Sequence, residues 1–170
     1  GCGKIARSAA RKAACGFGMN VIAYSPSLTQ DKVPKYIRVV SRAEVFRLAD
    51  FVSINLPATA LTKNSIGSEE FAMMKASAFL INTARGSIIR EKELIAALKE
   101  EQIAGAAIDV FASEPPKRDN ELLHLTNVFA TPHSAAQTKE ARYRVSRDLA
   151  EEICRVLQKR KPKWPVNKLC

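Results

Sequence analysis

Six short apolar runs recur along the chain, separated by amphipathic stretches of helical period. The runs are Val21-Ile22-Ala23-Tyr24, Ile37-Arg38-Val39-Val40, Phe51-Val52-Ser53-Ile54-Asn55, Ala78-Phe79-Leu80-Ile81-Asn82, Ala106-Ala107-Ile108-Asp109-Val110 and Val128-Phe129-Ala130-Thr131. Most lack strict alternation, as expected of parallel strands covered on both faces. Between them the pattern predicts helices. Ser41 can cap one running to Ala49, and Ser68 one running to Met74, with Glu69 and Glu70 well placed in its first turn. Glu91 to Glu100 carries Leu94, Ile95 and Leu98 at helical spacing. Gln137 to Gln158 is the longest, with Val145, Leu149, Ile153 and Val156 on one face. Pro162 and Pro165 end helical structure. Alternating β and α predicts an α/β fold with a doubly wound parallel sheet.

The chain opens with Gly1-Cys2-Gly3-Lys4-Ile5-Ala6, a glycine turn leading into a helix. Gly1 allows a tight bend, Gly3 lets the backbone approach a pyrophosphate, and the helix N-terminus aims N–H groups at that anion. In a Rossmann-type sheet a central strand leads into this turn. Gly1 already occupies the turn, so the sheet is expected to lack its first strand and the chain reads as a fragment. The strands ending at Ser25 and Asn55 should then face each other across a gap. Unpaired edges there should make the isolated chain marginally stable, prone to aggregate and inactive.

Candidate chemistry gathers at predicted strand ends, where open α/β sheets bind ligands. Arg85 follows one strand in Asn82-Thr83-Ala84-Arg85-Gly86; it can grip a carboxylate by two parallel hydrogen bonds, or serve as a surface or capping residue. Glu114 lies in Asp109-Val110-Phe111-Ala112-Ser113-Glu114-Pro115, and His133 in Thr131-Pro132-His133-Ser134-Ala135-Ala136. A carboxylate on the imidazole would fix its tautomer and equip it to move a proton. Asp109 could meet a nicotinamide amide or cap a turn, and His124 reads as structural. Ser25 stands where an acidic residue usually binds the ribose hydroxyls. It would not repel a 2′-phosphate, so NAD and NADP both stay open as cofactor.

Composition narrows the picture. Hydrophobic residues make up 46% of the 170, enough for a globular core, and no apolar run approaches the length of a membrane helix. The net charge of +10 is spread over many helices without interleaved aromatics. This argues against nucleic acid as a partner and for a field that draws in anionic cofactor and substrate. Cys2, Cys15, Cys154 and Cys170 show neither metal-ligand spacing nor the density of a disulfide scaffold, so no metal is expected and reduced thiols in a cytoplasmic protein are.

Taken together these motifs resemble the nucleotide-binding domain of the D-2-hydroxyacid dehydrogenases, the family of D-lactate, D-glycerate, phosphoglycerate and formate dehydrogenases and glyoxylate/hydroxypyruvate reductases. The resemblance runs from Gly1 to about Val166-Asn167. It implies Arg85 as the substrate-binding arginine, Glu114 as the partner carboxylate and His133 as acid/base. It implies cofactor contacts at Lys4, Ile5, Ser25, Leu56, Pro57, Thr62, Thr83, Ala84, Arg85, Asp109, His133, Ala135 and Ala136, beside Gly1 and Gly3. It also implies hydride transfer between NAD(P)H and a small 2-oxo acid or D-2-hydroxy acid, a homodimer when full length, and a substrate domain flanking this one. Residues 1–160 would form the dinucleotide-binding domain, and 161–170 a tail returning to that second domain. Alternative readings are a dinucleotide-sensing, corepressor-like interaction module and an inactive truncated remnant. The chain departs from the family pattern at Ala6, which replaces a glycine, at Ser25, and at Arg90, which stands where an aspartate commonly caps the next helix. Relative to that pattern one residue is also inserted near Cys15-Gly16.

Overall fold

A computed structural model describes residues 1–165. The last five residues of the expected tail, with Cys170, lie outside them. The backbone groups into two compact units, Gly1–His133 and Ser134–Cys170.

In the first unit, helix α1 (Lys4–Phe17) leads to β1 (Val21–Ala23) and β2 (Ile37–Val39). Then follow α2 (Arg42–Leu48), β3 (Phe51–Ile54), α3 (Ser68–Met73), β4 (Phe79–Asn82), α4 (Glu91–Lys99), β5 (Gly105–Ile108) and β6 (Val128–Ala130). Strands and helices alternate except between β1 and β2 and between β5 and β6. All pairings are parallel, as the βαβ pattern requires. The strands form two sheets: β1 pairs β2, and β3-β4-β5-β6 form a four-stranded sheet. The expected break between the strands ending near Ser25 and Asn55 is therefore present. Gly1 stands at its upper end: its ammonium donates to the Tyr24 carbonyl at 2.7 Å, and a Cβ on it would lie 2.3 Å from the Asn55 oxygen.

Register explains the core. Val52, Leu80, Ala106 and Val128 form one cross-strand row, and Ile54, Asn82 and Ile108 lie in the next. These residues face α2, α3 and α4, whose Phe46, Phe71, Leu94 and Leu98 are buried in the same cluster. The opposite face departs from expectation. Phe51, Phe79 and Phe129 are 52%, 41% and 71% exposed, so coverage on both faces is not what the strands have. Stacking of Phe51 on Phe79, centroids 5.8 Å apart, shields part of that surface.

Helix ends follow local chemistry with one correction. Ser41 caps α2 in a full capping box with Glu44. Ser68 does not cap α3. Gly67 holds that place, its N–H bonded to Glu70, while the Ser68 N–H and hydroxyl both turn to Glu93 of α4. Gly18, in the left-handed region at φ 65°, ends α1. No side chain caps α4 at Arg90; Glu91 and Glu93 favour its positive end instead.

The second unit holds α5 (Lys139–Leu157), capped by the Thr138 hydroxyl on the Ala141 N–H. Its Val145, Leu149, Ile153 and Val156, and Trp164 beyond it, are exposed. Among the described residues no helix is long and apolar enough to cross a membrane.

Candidate active site

The glycine turn meets the physical needs of a dinucleotide. Gly3 is the residue before α1, and a Cβ added to it would find nothing within 4 Å. The backbone is thus bare toward solvent at the start of a 14-residue helix that has no acidic residue in its first turn. An anion there meets free N–H groups and the helix dipole without opposing charge. Gly1 is small for a different reason, its close approach to Asn55. Lys4 and Ile5 are exposed beside the turn, and Ser25 follows β1 on the same edge. Leu56 and Pro57 follow β3 on that edge as well. Thr62 serves its own loop: the hydroxyl donates to the Pro57 carbonyl at 2.6 Å and accepts from the Thr59 N–H at 2.8 Å.

Arg85 is presented by a side-chain turn. Buried Asn82, the last residue of β4, accepts from the Ala84 N–H at 3.0 Å and donates to the Arg85 carbonyl at 3.1 Å. That fold of the chain leaves Thr83 and Arg85 exposed beyond the strand end, with Ala84 half-buried between them. The Arg85 guanidinium donates to the Ala84 carbonyl at 2.6 Å, which keeps it near the backbone. Gly86 then packs on the neighbouring loop. A Cβ on it would sit 2.0 Å from the Phe111 carbonyl carbon, so the Arg85 turn and the Glu114 loop touch backbone to backbone.

Glu114 and His133, 19 residues apart in sequence, meet directly. His133 Nδ1 lies 2.8 Å from Glu114 Oε2. The other carboxylate oxygen accepts from the Phe111 N–H at 3.1 Å. These bonds, the histidine's first and the Phe111 amide second, hold the Glu114 carboxyl below the usual glutamate range; the nearby Arg85 charge adds to this. An ionised carboxylate only accepts, so the imidazole carries its proton on Nδ1 and leaves Nε2 for other chemistry. His133 has φ 53°, a left-handed conformation uncommon outside glycine. Asp109, after β5, is buried and accepts from the Thr131 hydroxyl. His124 bonds the Arg118 carbonyl at 3.0 Å, the structural part expected of it. Ala135 and Ala136 begin the second unit and are exposed.

Two residues important to this geometry were not singled out by sequence reasoning. One is Asn82, whose signal is a polar residue closing an apolar strand ahead of small residues. The other is Glu91, the first residue of α4, which bonds the Glu114 loop. Nothing local marks it.

Comparison with known proteins decides the family. Residues 1–135 match the family described as D-isomer specific 2-hydroxyacid dehydrogenase, NAD binding domain. The chain belongs to this family. A D-3-phosphoglycerate dehydrogenase of Methanocaldococcus jannaschii is 42% identical over 160 residues, 93% of this chain and 30% of that protein. Glyoxylate/hydroxypyruvate reductase B of Enterobacter agglomerans is 38% identical over 168 residues, 98% of this chain and 52% of that protein. Among solved structures, holo D-mandelate dehydrogenase of Rhodotorula graminis superposes with a TM-score of 0.91 at 33% identity, covering all of this chain and 50% of that one. An acyclic imino acid reductase solved with NADPH and D-Arg superposes with a TM-score of 0.85, also at 33% identity, and covers 52% of that chain. The chain thus spans from 30% to 52% of the length of these proteins. The family pattern of a doubly wound α/β domain and the observed strand alternation agree.

Proposed function

We propose that this chain is the cofactor-binding half of an NAD(P)-dependent D-2-hydroxyacid dehydrogenase, interconverting a small 2-oxo acid and its D-2-hydroxy acid. The observation that carries the reading is the 2.8 Å contact of His133 with Glu114, on the strand edge that also presents Arg85. That the relatives named above are dehydrogenases and reductases supports an enzyme over an interaction module or an inert remnant.

In this reading Gly3 and the first turn of α1 would hold the dinucleotide's pyrophosphate, and Ser25 its ribose. Gly1, Lys4, Ile5, Leu56, Pro57, Thr62, Thr83, Ala84, Arg85, Asp109, His133, Ala135 and Ala136 would contribute the remaining contacts. The cofactor, when bound, supplies or accepts the hydride at the substrate's C2. Arg85 holds the substrate carboxylate by paired, charge-assisted bonds. His133 Nε2–H donates a proton to the carbonyl oxygen during reduction and takes it back during oxidation. Glu114 stabilises the imidazolium and fixes which nitrogen faces the substrate. Ser25, having no charge to repel a 2′-phosphate, admits NAD and NADP alike.

The same reading assigns residues 1–160 to the dinucleotide-binding domain and 161–170 to a tail leading to a substrate-binding part. That part supplies the other wall of the cleft. A homodimer in the cytoplasm is the expected assembly, supported by the family resemblance and the scattered thiols. The test is a chimera in which this chain replaces the matching segment of the Enterobacter agglomerans reductase. It should oxidise NADH or NADPH with glyoxylate, hydroxypyruvate or pyruvate. A folded chimera that binds cofactor yet reduces none of them would overturn the assignment.

A further inference from the structure

The segment between β5 and β6 that carries Glu114 has no ladder of its own from residue 111 to 120. Its anchors are few. Phe111 is buried against Gly86, and the Asn120 side chain begins the short turn at Glu121–Leu123 by accepting from the Leu122 N–H at 3.0 Å. Beside the His124–Arg118 and His133–Glu114 contacts, a further anchor lies across the loop, in α4. Glu91 Oε2 accepts from the Ala112 N–H at 3.1 Å, and Glu91 Oε1 accepts from Asn120 Nδ2 at 3.0 Å. One carboxylate therefore ties both ends of the loop to the helix that follows the Arg85 turn.

Its point of attachment is telling. Phe111 and Ala112 offer consecutive N–H groups. The first goes to Glu114 and the second to Glu91. The peptide between them is also the one that Gly86 abuts. Movement of Ala112 would carry the Phe111 N–H away from Glu114, and Glu114 away from His133. Glu93, the other acid in the same helical turn, cannot substitute, because Ser68 and Arg90 occupy it.

We propose that Glu91 is a positioning residue, one that touches neither substrate nor cofactor but holds the Glu114 carboxylate against His133 by clamping the loop between them. The catalytic meaning of that placement rests on the reading of Glu114 and His133 as the acid/base pair. The placement itself does not.

The test uses Glu91→Gln in this chain, with the Glu114 carboxyl followed by carbon-13 NMR across an acid titration. Groups facing Glu114 are His133, Arg85 and the Phe111 N–H. A glutamine can satisfy only one of the two donors that Glu91 now serves. The Glu114 pKa should then rise toward the ordinary glutamate value as its hydrogen bonds weaken, and the Ala112 amide should lose protection from exchange. A Glu91→Gln chain that is less stable, yet titrates Glu114 as the wild type does, would overturn the proposal, because a purely structural anchor leaves that value unmoved. If Glu91→Gln does not fold, Asn120→Ala carries the test. It spares Ala112 and releases only the far end, and Glu114 should still move upward; an unchanged value again overturns the proposal. In the chimera, Glu91→Gln should lower kcat more than it alters cofactor affinity. A normal kcat alongside a shifted Glu114 would count against the acid/base reading and leave the clamp standing.

Discussion

Replacing Gly86 by alanine forces the Arg85 turn and the Glu114 loop apart. The added methyl would sit 2.0 Å from the Phe111 carbonyl carbon, 2.1 Å from its oxygen and 2.5 Å from the Ala112 nitrogen. Ordinary contact begins near 3.4 Å, so the two backbones must separate by about 1.4 Å (3.4 − 2.0). All three obstructing atoms are main chain, and none can swing away as a flexible side chain would. Overpacking of this kind costs roughly 1–3 kcal/mol. With a urea m-value of about 2 kcal/mol/M, the midpoint should fall by roughly 1 M. The control is Gly3→Ala, whose methyl meets nothing within 4 Å. It should lower stability by no more than about 1 kcal/mol, the preference for glycine over alanine at an N-cap, while weakening cofactor binding on the proposed reading, because the methyl fills the space the pyrophosphate would need. Urea unfolding followed by circular dichroism, with NADH fluorescence titration on the chimera, reads both effects. A Gly86→Ala midpoint indistinguishable from wild type would refute the close-approach argument. Equal loss of stability in both variants would refute the distinction between packing and binding glycines.

Three further outcomes are expected. Wild-type chimera should bind NADH and NADPH comparably, and Ser25→Asp should turn it toward NADH; a wild-type preference for NADH beyond about a hundredfold, or about 2.7 kcal/mol, would mean another group enforces selectivity. Glu114 has a folded-state pKa below its unfolded value of 4.5, so its stabilising contribution is complete above that pH and lost as pH falls through the folded value. Glu114→Gln should accordingly flatten that part of the stability profile, and an unchanged profile in acid denaturation would contradict the bond to His133. Arg85→Ala in the chimera should raise KM for the 2-oxo acid and lower kcat together; an effect confined to cofactor affinity would remove the arginine from substrate binding.

Strand positions were legible because each apolar run is bounded by turn residues and most are separated from the next by helix-period sequence. Each strand lies within its predicted run or one residue beyond it. The meeting of Glu114 and His133 was legible for the same reason: parallel strands bring their carboxyl ends to one edge, whatever the sequence separation. What sequence did not reveal depends on long-range choice. Ser68 has the composition of a cap, but Glu93, 25 residues away, competes for it and leaves the cap to Gly67. Glu91 looks like any first-turn acid favouring the helix dipole, and its tie to Ala112 and Asn120 exists only once α4 lies against the loop. The open sheet face escaped notice because Phe51, Phe79 and Phe129 are as apolar as the residues that face α2, α3 and α4.

The central claim is that His133, oriented by Glu114, moves the proton. Steady-state turnover of the chimera with His133→Gln tests it most directly, with cofactor affinity measured on the same preparation. General acid/base catalysis is worth roughly 10²–10⁴-fold, so kcat should fall by that factor while the Kd for NADH stays within about twofold. Near-normal turnover by the glutamine variant would contradict the account.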